Sequence, residues 1–102
     1  MEAKTWFIRL IPPRATFPHD ITEPEQKLMS EHFLYLKKLF EDGVCLMAGP
    51  VFDRQGAYGA TILQAASQAE ARDIAEADPS VKGGLNRIEI AEMRLTFYPG
   101  KS

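Results

Sequence analysis

The sequence lacks the features that mark several common classes of protein. Its single cysteine, Cys45, cannot form an intramolecular disulfide, and within the apolar run of residues 44–48 we expect a buried thiol in a reducing compartment. No run approaches the roughly 18 apolar residues of a membrane-spanning helix. Arg9, Pro12 and Pro13 interrupt the apolar run near the start, so we expect no secretory leader and a cytoplasmic protein.

An excess of either charge is also missing. Twelve Lys and Arg residues stand against 14 Asp and Glu, the formal net charge is −2, and the basic residues are scattered. This pattern excludes the electrostatic footprint of a nucleic-acid or anionic-membrane binder. Two histidines and one cysteine match no metal-ligand spacing, and no glycine-rich nucleotide loop, nucleophile elbow or haem motif occurs. We therefore expect neither metal nor cofactor.

The composition that remains is that of an ordinary folded domain. Apolar residues make up 45% and charged residues 25% of the 102 positions. We expect one domain over residues 1–102, with a modest core that association would help to complete.

The first predicted element is a strand at residues 5–11, which is rich in aromatic and β-branched side chains. Both of its faces are mostly apolar, whereas a strand covered on one side alternates cleanly. Helices should therefore cover one face and something else the other. One face carries Trp6, Ile8 and Leu10, and the other carries Phe7, Arg9 and Ile11.

A helix at residues 25–41 is predicted after a proline-rich loop at residues 12–22. Thr22 and Glu25 have the spacing of a capping box, and Gly43 supplies a left-handed C-terminal position. Apolar side chains recur on this helix at helical spacing, and we expect them to pack against the protein. They are Met29, Phe33, Leu36 and Phe40, flanked by Leu28, Tyr35 and Leu39.

His32 lies at the rim of this apolar stripe. A histidine at such a border could reach a cleft from a rigid helix, or could be a hydrogen-bonded boundary residue without further function. The helix alone leaves both interpretations open.

The remaining elements follow from short apolar runs and from capping and turn residues. They are an inner strand at 44–48 ended by Gly49-Pro50, a turn at 53–56, a returning strand at 58–65, a helix from the Ser67 cap to about residue 77, a turn or loop at 80–86, and a final strand at 87–98 with a bulge or break at 90–92.

This order of elements, βαββαβ, predicts an α+β fold of the ferredoxin-like type. Such a domain has an antiparallel four-stranded sheet with two helices on one face. The bare face would be covered by the sheet of a second copy, giving a dimeric α+β barrel.

Residues 28–86 resemble the YCII-related (YciI-like) family of small α+β barrel proteins. The resemblance lies in an ordered set of short motifs rather than in any single one. The set is His32, Tyr35-Leu36, Leu39, Gly43, Ala48-Gly49-Pro50, Asp53, Gly56, Ala66-Ser67, Ala69-Glu70-Ala71, Asp78-Pro79 and Gly84-Leu85.

The resemblance implies a ferredoxin-like homodimer whose active site is built on a His and Asp pair, which here matches His32 and Asp78. Many members have no established activity; those assigned include dehydrochlorination of a chlorinated hydroxyquinone, and related dimeric barrels include muconolactone isomerases. The chain departs from the family pattern at Ser80-Val81, where an aromatic residue is more usual, and in its long proline-rich loop. The resemblance therefore leaves the substrate open.

His32 and Asp78 suit general-base catalysis. A carboxylate that accepts a hydrogen bond from one imidazole nitrogen fixes the tautomer and makes the other nitrogen a better proton acceptor. The alternative is a structural hydrogen bond between helices.

Further candidates each have a structural alternative. Gly49 and Pro50 bring backbone near the pocket, where peptide N–H groups could steady an enolate oxygen, or they only form a turn. Arg9 could bind a substrate carboxylate or pair at the surface. Two tyrosines, Tyr35 and Tyr58, could line the cleft or belong to the core, and His19-Asp20 could act in a lid or be solvated.

Two functions from different classes follow. The first is a cofactor-independent lyase or isomerase acting on a small, cyclic carbonyl compound, with His32 as base and Asp78 orienting it. The second is a non-catalytic homodimer that binds a small molecule or serves as an accessory protein. A purely structural domain would have no pocket around His32.

Overall fold

The structure is a computed structural model that describes residues 4–99. Four strands form one antiparallel sheet in the order β2-β3-β1-β4, which is the ferredoxin-like topology. The predicted fold class is therefore confirmed. The elements are β1 (Lys4–Ile11), α1 (Glu23–Glu41), β2 (Cys45–Asp53), β3 (Gly56–Ala65), α2 (Gln68–Glu76), α3 (Pro79–Lys82) and β4 (Arg87–Glu92).

The core lies between the sheet and α2. Trp6, Ile8 and Leu63 are buried on the helix-facing side of the sheet, and Trp6 also donates its indole N–H to a backbone carbonyl. Two small residues of α2, Ala71 and Ala75, meet them. Their size lets the helix approach the sheet closely.

Helix α1 begins and ends at the capping residues that its sequence contains. The amide of Glu25 donates to Thr22 Oγ1 at 3.4 Å, and Glu25 Oε1 accepts from the Thr22 amide at 2.9 Å. Gly43, with φ of +80°, follows the helix. The helix begins at Glu23, directly after the predicted cap Thr22, and Pro24 lies in its first turn.

The stripe of apolar side chains on α1 is not buried, contrary to the prediction that it packs against the protein. No residue of α1 is buried, and Phe33 and Phe40 are 65% and 60% exposed. The helix is attached by the flank that was predicted to widen this stripe, on which Leu39 packs against the core. The stripe consequently faces an open cleft.

Strand β2 is an edge strand that continues to Asp53, so the prediction of an inner strand ending before Gly49-Pro50 was wrong. Gly49 and Pro50 pair with Ala60 and Gly59 of β3 instead of forming a turn. Proline has no N–H to donate, and an edge strand needs ladder hydrogen bonds on one side only.

The segment predicted as a loop at 80–86 contains the short helix α3. Asp78 is extended, as predicted, with φ −60° and ψ 128°, and its Oδ1 accepts from the Ser80 amide at 2.8 Å. With Pro79 in the first turn, this cap is enough to start a helix. The final strand ends at Glu92, so it is shorter than predicted, and the change of alternation at 90–92 marks its end. Within residues 4–99 no helix is long and apolar enough to cross a membrane.

Candidate functional site

A cleft of about 810 Å³ lies between α1 and the hairpin of β2 and β3. The loop that precedes α1 contributes Pro12, Phe17 and Pro18 to the lining. Pockets for drug-sized ligands span roughly 300–1,000 Å³, so the cleft can hold a small molecule. Most lining residues are apolar; the polar side chains among the described ones are His32, Lys37, Thr61 and Asn86, with the thiol of Cys45. Tyr58 is also a lining residue, but its ring packs against the guanidinium of Arg9.

At one margin of the cleft, His32 and Asp78 meet in a short hydrogen bond. Nδ1 of His32 lies 2.6 Å from Oδ2 of Asp78, and the two side chains are only 14% and 4% exposed. His32 is held by α1, whereas Asp78 caps α3. The fold therefore brings together two residues that are 46 positions apart in the chain.

The second carboxylate oxygen of Asp78 accepts two further hydrogen bonds, both from Ser80. The Ser80 amide donates at 2.8 Å and its hydroxyl donates at 2.9 Å. Asn86 Nδ2 in turn donates to Ser80 Oγ at 3.0 Å. All three side chains are at least nine-tenths buried.

Asn86 fixes which group donates and which accepts in each of these hydrogen bonds. Because the amide nitrogen of Asn86 can only donate, Ser80 Oγ accepts from it and gives its own proton to Asp78. A carboxylate that receives these bonds acts as an acceptor for His32 as well. The arrangement favours the tautomer in which Nδ1 of His32 carries the proton and Nε2 carries the lone pair.

Nε2 is the free nitrogen of His32. No hydrogen bond to it forms within residues 4–99, and among those residues no buried side-chain nitrogen or oxygen lacks a partner. Nε2 must therefore be accessible, and His32 itself lines the cleft. An oriented lone pair at the edge of an apolar cleft can accept a proton from a bound molecule.

Tyr35 connects the helix that carries His32 to α2. Its hydroxyl donates to the Ile74 carbonyl at 2.7 Å and so ties α1 to α2. Burial, and after it the negative charge of Asp78, raises the pKa of Tyr35, so the hydroxyl stays protonated as a donor. Tyr35 is absent from the lining of the cleft, although the sequence made it a candidate for substrate binding.

The proline-rich loop is pinned to the start of α1 by Arg14. Both oxygens of Glu25 accept from this guanidinium, at 2.7 and 2.8 Å, and Asp20 accepts from its Nε at 3.0 Å. The Arg14 hydrogen bonds lower the pKa of Glu25 to about 2 and also lower the pKa of Asp20. His19 is exposed and outside the cleft lining.

The other predicted site residues are divided between the two faces of the sheet. Gly49 and Pro50 line the cleft on β2, across from α1. Arg9 is outside the lining and lies on the face of β1 opposite the buried side chains, where its guanidinium carbon is 3.9 Å from the centroid of the Tyr58 ring. The structure thus joins His32 to Asp78 and separates both from Arg9.

Sequence reasoning missed the supporting roles of Ser80 and Asn86. A serine two residues after Asp78-Pro79 is a detectable signal, because such a residue can donate to the capping carboxylate. Asn86 had no comparable signal.

Burial raises the pKa of the Cys45 thiol, which disfavours the thiolate that a nucleophile requires. Within residues 4–99 no three His, Cys, Asp or Glu side chains group as metal ligands.

Comparison with known proteins agrees with this architecture. The model of the YCII-related domain matches residues 5–94. The chain is similar to YjpA of Bacillus subtilis (strain 168), described as an uncharacterized protein, with 34% identity over 70 residues. This alignment covers 69% of this chain and 80% of YjpA.

Proposed function

Because the chain belongs to the YCII-related family, we propose that it is a cofactor-independent lyase or isomerase that moves a proton on a small, cyclic carbonyl compound. The observation that carries this proposal is the 2.6 Å contact of Asp78 with Nδ1 of His32, which leaves Nε2 free at the cleft. The buried partners of Asp78 support it, since they orient the carboxylate without competing for His32.

The proposed first step is removal of a proton from the carbon next to the carbonyl. Nε2 of His32 takes the proton, and the electron pair of the C–H bond forms an enolate whose charge rests on oxygen. His32, now an imidazolium, is stabilised by Asp78. If the substrate has a double bond next to the deprotonated carbon, the intermediate is a dienolate, and return of the proton from His32 to its far carbon completes an isomerisation. If the β-carbon bears a halogen, the enolate electrons form the new double bond as halide leaves, and His32 then gives its proton to water, which completes an elimination.

The enolate oxygen needs a hydrogen-bond donor on the facing wall. Of the predicted pair, Pro50 has no N–H, so only Gly49 has an amide to donate. Its role stays a prediction.

Hydrogen exchange on model compounds tests this function without the natural substrate. In D₂O the wild-type protein should accelerate α-deuteration of members of a panel of cyclic ketones and 1,3-diones, followed by NMR. His32→Asn should remove the acceleration. His19→Asn is the matched control, since His19 is exposed and outside the cleft lining. Equal exchange by wild type and His32→Asn would contradict the assignment of the base.

The second candidate is a non-catalytic binding protein. The observation in its favour is that most of the residues that line the cleft are apolar. Under this function the wild-type protein binds cleft ligands without accelerating exchange, and His32→Asn binds them equally well.

We also propose a homodimer that buries the outer face of the sheet. Phe7 and Ile11 lie on this face, half-buried, and Met47, in register with Ile62 of the same face, is 46% exposed. Covering such a patch is favourable. Light scattering after size-exclusion chromatography should give twice the mass of one chain, and Phe7→Glu should give a monomer.

A further inference from the structure

The face of α1 that lines the cleft has a polar side chain at each of its two margins, His32 at one and Lys37 at the other. Residues advance about 100° around a helix, so His32 and Lys37 lie about 140° apart, at the two margins of the arc. Over the turns that line the cleft, from Met29 to Phe40, the arc between them is apolar. It carries Met29, Phe33, Leu36 and Phe40.

Lys37 is the cationic side chain at the outer margin. No ion pair within residues 4–99 involves it, whereas its neighbour Lys38 lies 3.6 Å from Asp42. No acidic side chain of those residues lines the cleft. A negatively charged ligand in the cleft would therefore meet an ammonium group that has no ion pair within residues 4–99, and no carboxylate among the lining residues.

Aromatic rings stand at the rim on both sides. Phe33 and Phe40 of α1, and Phe52 of β2, are each at least 60% exposed. Exposed aromatic side chains gathered around one cleft mark a binding surface, because they gain most from covering a flat apolar molecule.

We propose that the cleft binds a planar, apolar monoanion whose ring system lies between the rim phenylalanines and whose anionic group meets Lys37. This inference rests on the proposed function in one respect, since it places the reacting carbonyl at His32. The axial rise from residue 32 to residue 37 is about 7.5 Å, so a ligand that reaches both must be at least as long as two fused rings. Sugars and nucleotides would leave many polar groups unpaired against the apolar lining.

Three isosteric probes that differ only in charge test the proposal. They are 2-naphthoate, 2-naphthamide and 2-naphthamidinium, titrated by calorimetry against the full chain at low and moderate ionic strength. The wild-type protein should bind 2-naphthoate about five- to tenfold more tightly than the amide, with the amidinium weakest. Added salt should reduce the difference.

Paired substitutions on α1 locate the effect. Lys37→Gln should bring naphthoate and naphthamide to within about twofold of each other, whereas the control Lys38→Gln keeps the wild-type preference. Phe33→Ala should weaken all three probes. The control Leu34→Ala should not, because Leu34 is equally exposed, at 63%, but is outside the cleft lining.

Equal binding of the three probes, failure of all three to bind, or a preference that survives Lys37→Gln would each overturn the proposal. Its failure is distinguishable from failure of the catalytic assignment. Probe binding that depends on Lys37, together with exchange that does not depend on His32, upholds this inference and contradicts the assignment of His32 as the base. The reverse pair of results upholds the base and removes the anion site.

Discussion

The two walls of the cleft are built on different physical principles. On the wall formed by α1 and α3, the polar atoms of Asp78, Ser80 and Asn86 are buried and bonded to one another, and Nε2 of His32 is left open. The wall formed by β2 is an edge strand with exposed apolar side chains such as Phe52. Only the first wall offers a polar group that could do chemistry, whereas both walls offer exposed aromatic rings for binding, Phe33 and Phe40 on α1 and Phe52 on β2.

The contrast implies that single substitutions act differently on the two walls. Removing the carboxylate acceptor from the wall formed by α1 and α3 leaves several buried donors without partners. Each such donor lowers the free energy of unfolding by roughly 1–3 kcal/mol. Removing an exposed ring from the apolar wall changes stability by less than about 0.5 kcal/mol, since little is buried to begin with. Substitutions in the buried hydrogen-bonded group should therefore lower stability, whereas substitutions of exposed rings on either wall should change ligand binding.

Asp78→Ala should have the largest effect on stability. It removes the acceptor of three hydrogen bonds, those from His32 and from the amide and hydroxyl of Ser80, so we expect a loss of about 3 kcal/mol. Urea unfolding followed by circular dichroism measures it.

Asp78→Asn is the control for this prediction. Its amide keeps an oxygen for Ser80 and should cost less, while its NH₂ group turned to His32 moves the imidazole proton to Nε2. Nitrogen-15 NMR of the imidazole reports that tautomer. Wild-type stability in Asp78→Ala would show that the network does not hold the helices together.

Gly56→Ala should destabilise the hairpin wall by about 2 kcal/mol. Gly56 has φ of +130°, and an added Cβ would lie 2.7 Å from the backbone oxygen of Ala15 in the loop before α1. Thermal and urea unfolding measure the loss. Gly49→Ala is the matched control in the same hairpin: a Cβ there meets no atom within 4 Å, so its stability should stay within about 0.5 kcal/mol of wild type. Similar losses for both variants would contradict this reason.

Ser80→Ala should cost about 1–2 kcal/mol. The hydroxyl donates to Asp78 and accepts from Asn86, so its removal leaves one buried amide donor without that partner. The exposed Ser30 of α1 provides the control, and Ser30→Ala should be near neutral. Asn86 Nδ2 also donates to Met29 Sδ at 3.8 Å. An unchanged unfolding midpoint for Ser80→Ala would contradict the prediction and show that this weaker bond is enough for Asn86.

The smallest expected change in the free energy of unfolding arises from the contact of Arg14, in the proline-rich loop, with Glu25, and it depends on pH. The pKa of Glu25 falls from its ordinary value of 4.5 to about 2 beside Arg14. The contact therefore stabilises the folded protein fully above pH 4.5, and the stabilisation is lost as the pH falls towards 2. Arg14→Met should remove this part of the acid dependence, measured as unfolding free energy between pH 6 and pH 2.5. An unchanged profile in Arg14→Met would exclude the contact as its source.

Local pattern alone determined the order of the four strands and the two longer helices, the caps of those helices and the alternation of β1, but it missed α3. Thr22 with Glu25, and Ser67 before α2, act within four residues, so their effect is readable without the rest of the fold. Periodicity also identified the stripe on α1 correctly. It could not show whether Phe33 and Phe40 are covered, because that depends on which flank of the helix the sheet engages.

Tertiary structure decided which partner His32 of α1 meets. Whether His32 is only a boundary residue depends on Asp78, 46 positions away, and on the α3 cap that sets the carboxylate 2.6 Å from Nδ1. The partnership of Ser80 and Asn86, the edge position of β2 and the location of Arg9 outside the cleft are equally non-local. A residue's type and its helical phase are encoded at its own position, whereas contacts between elements exist only once the whole chain has packed.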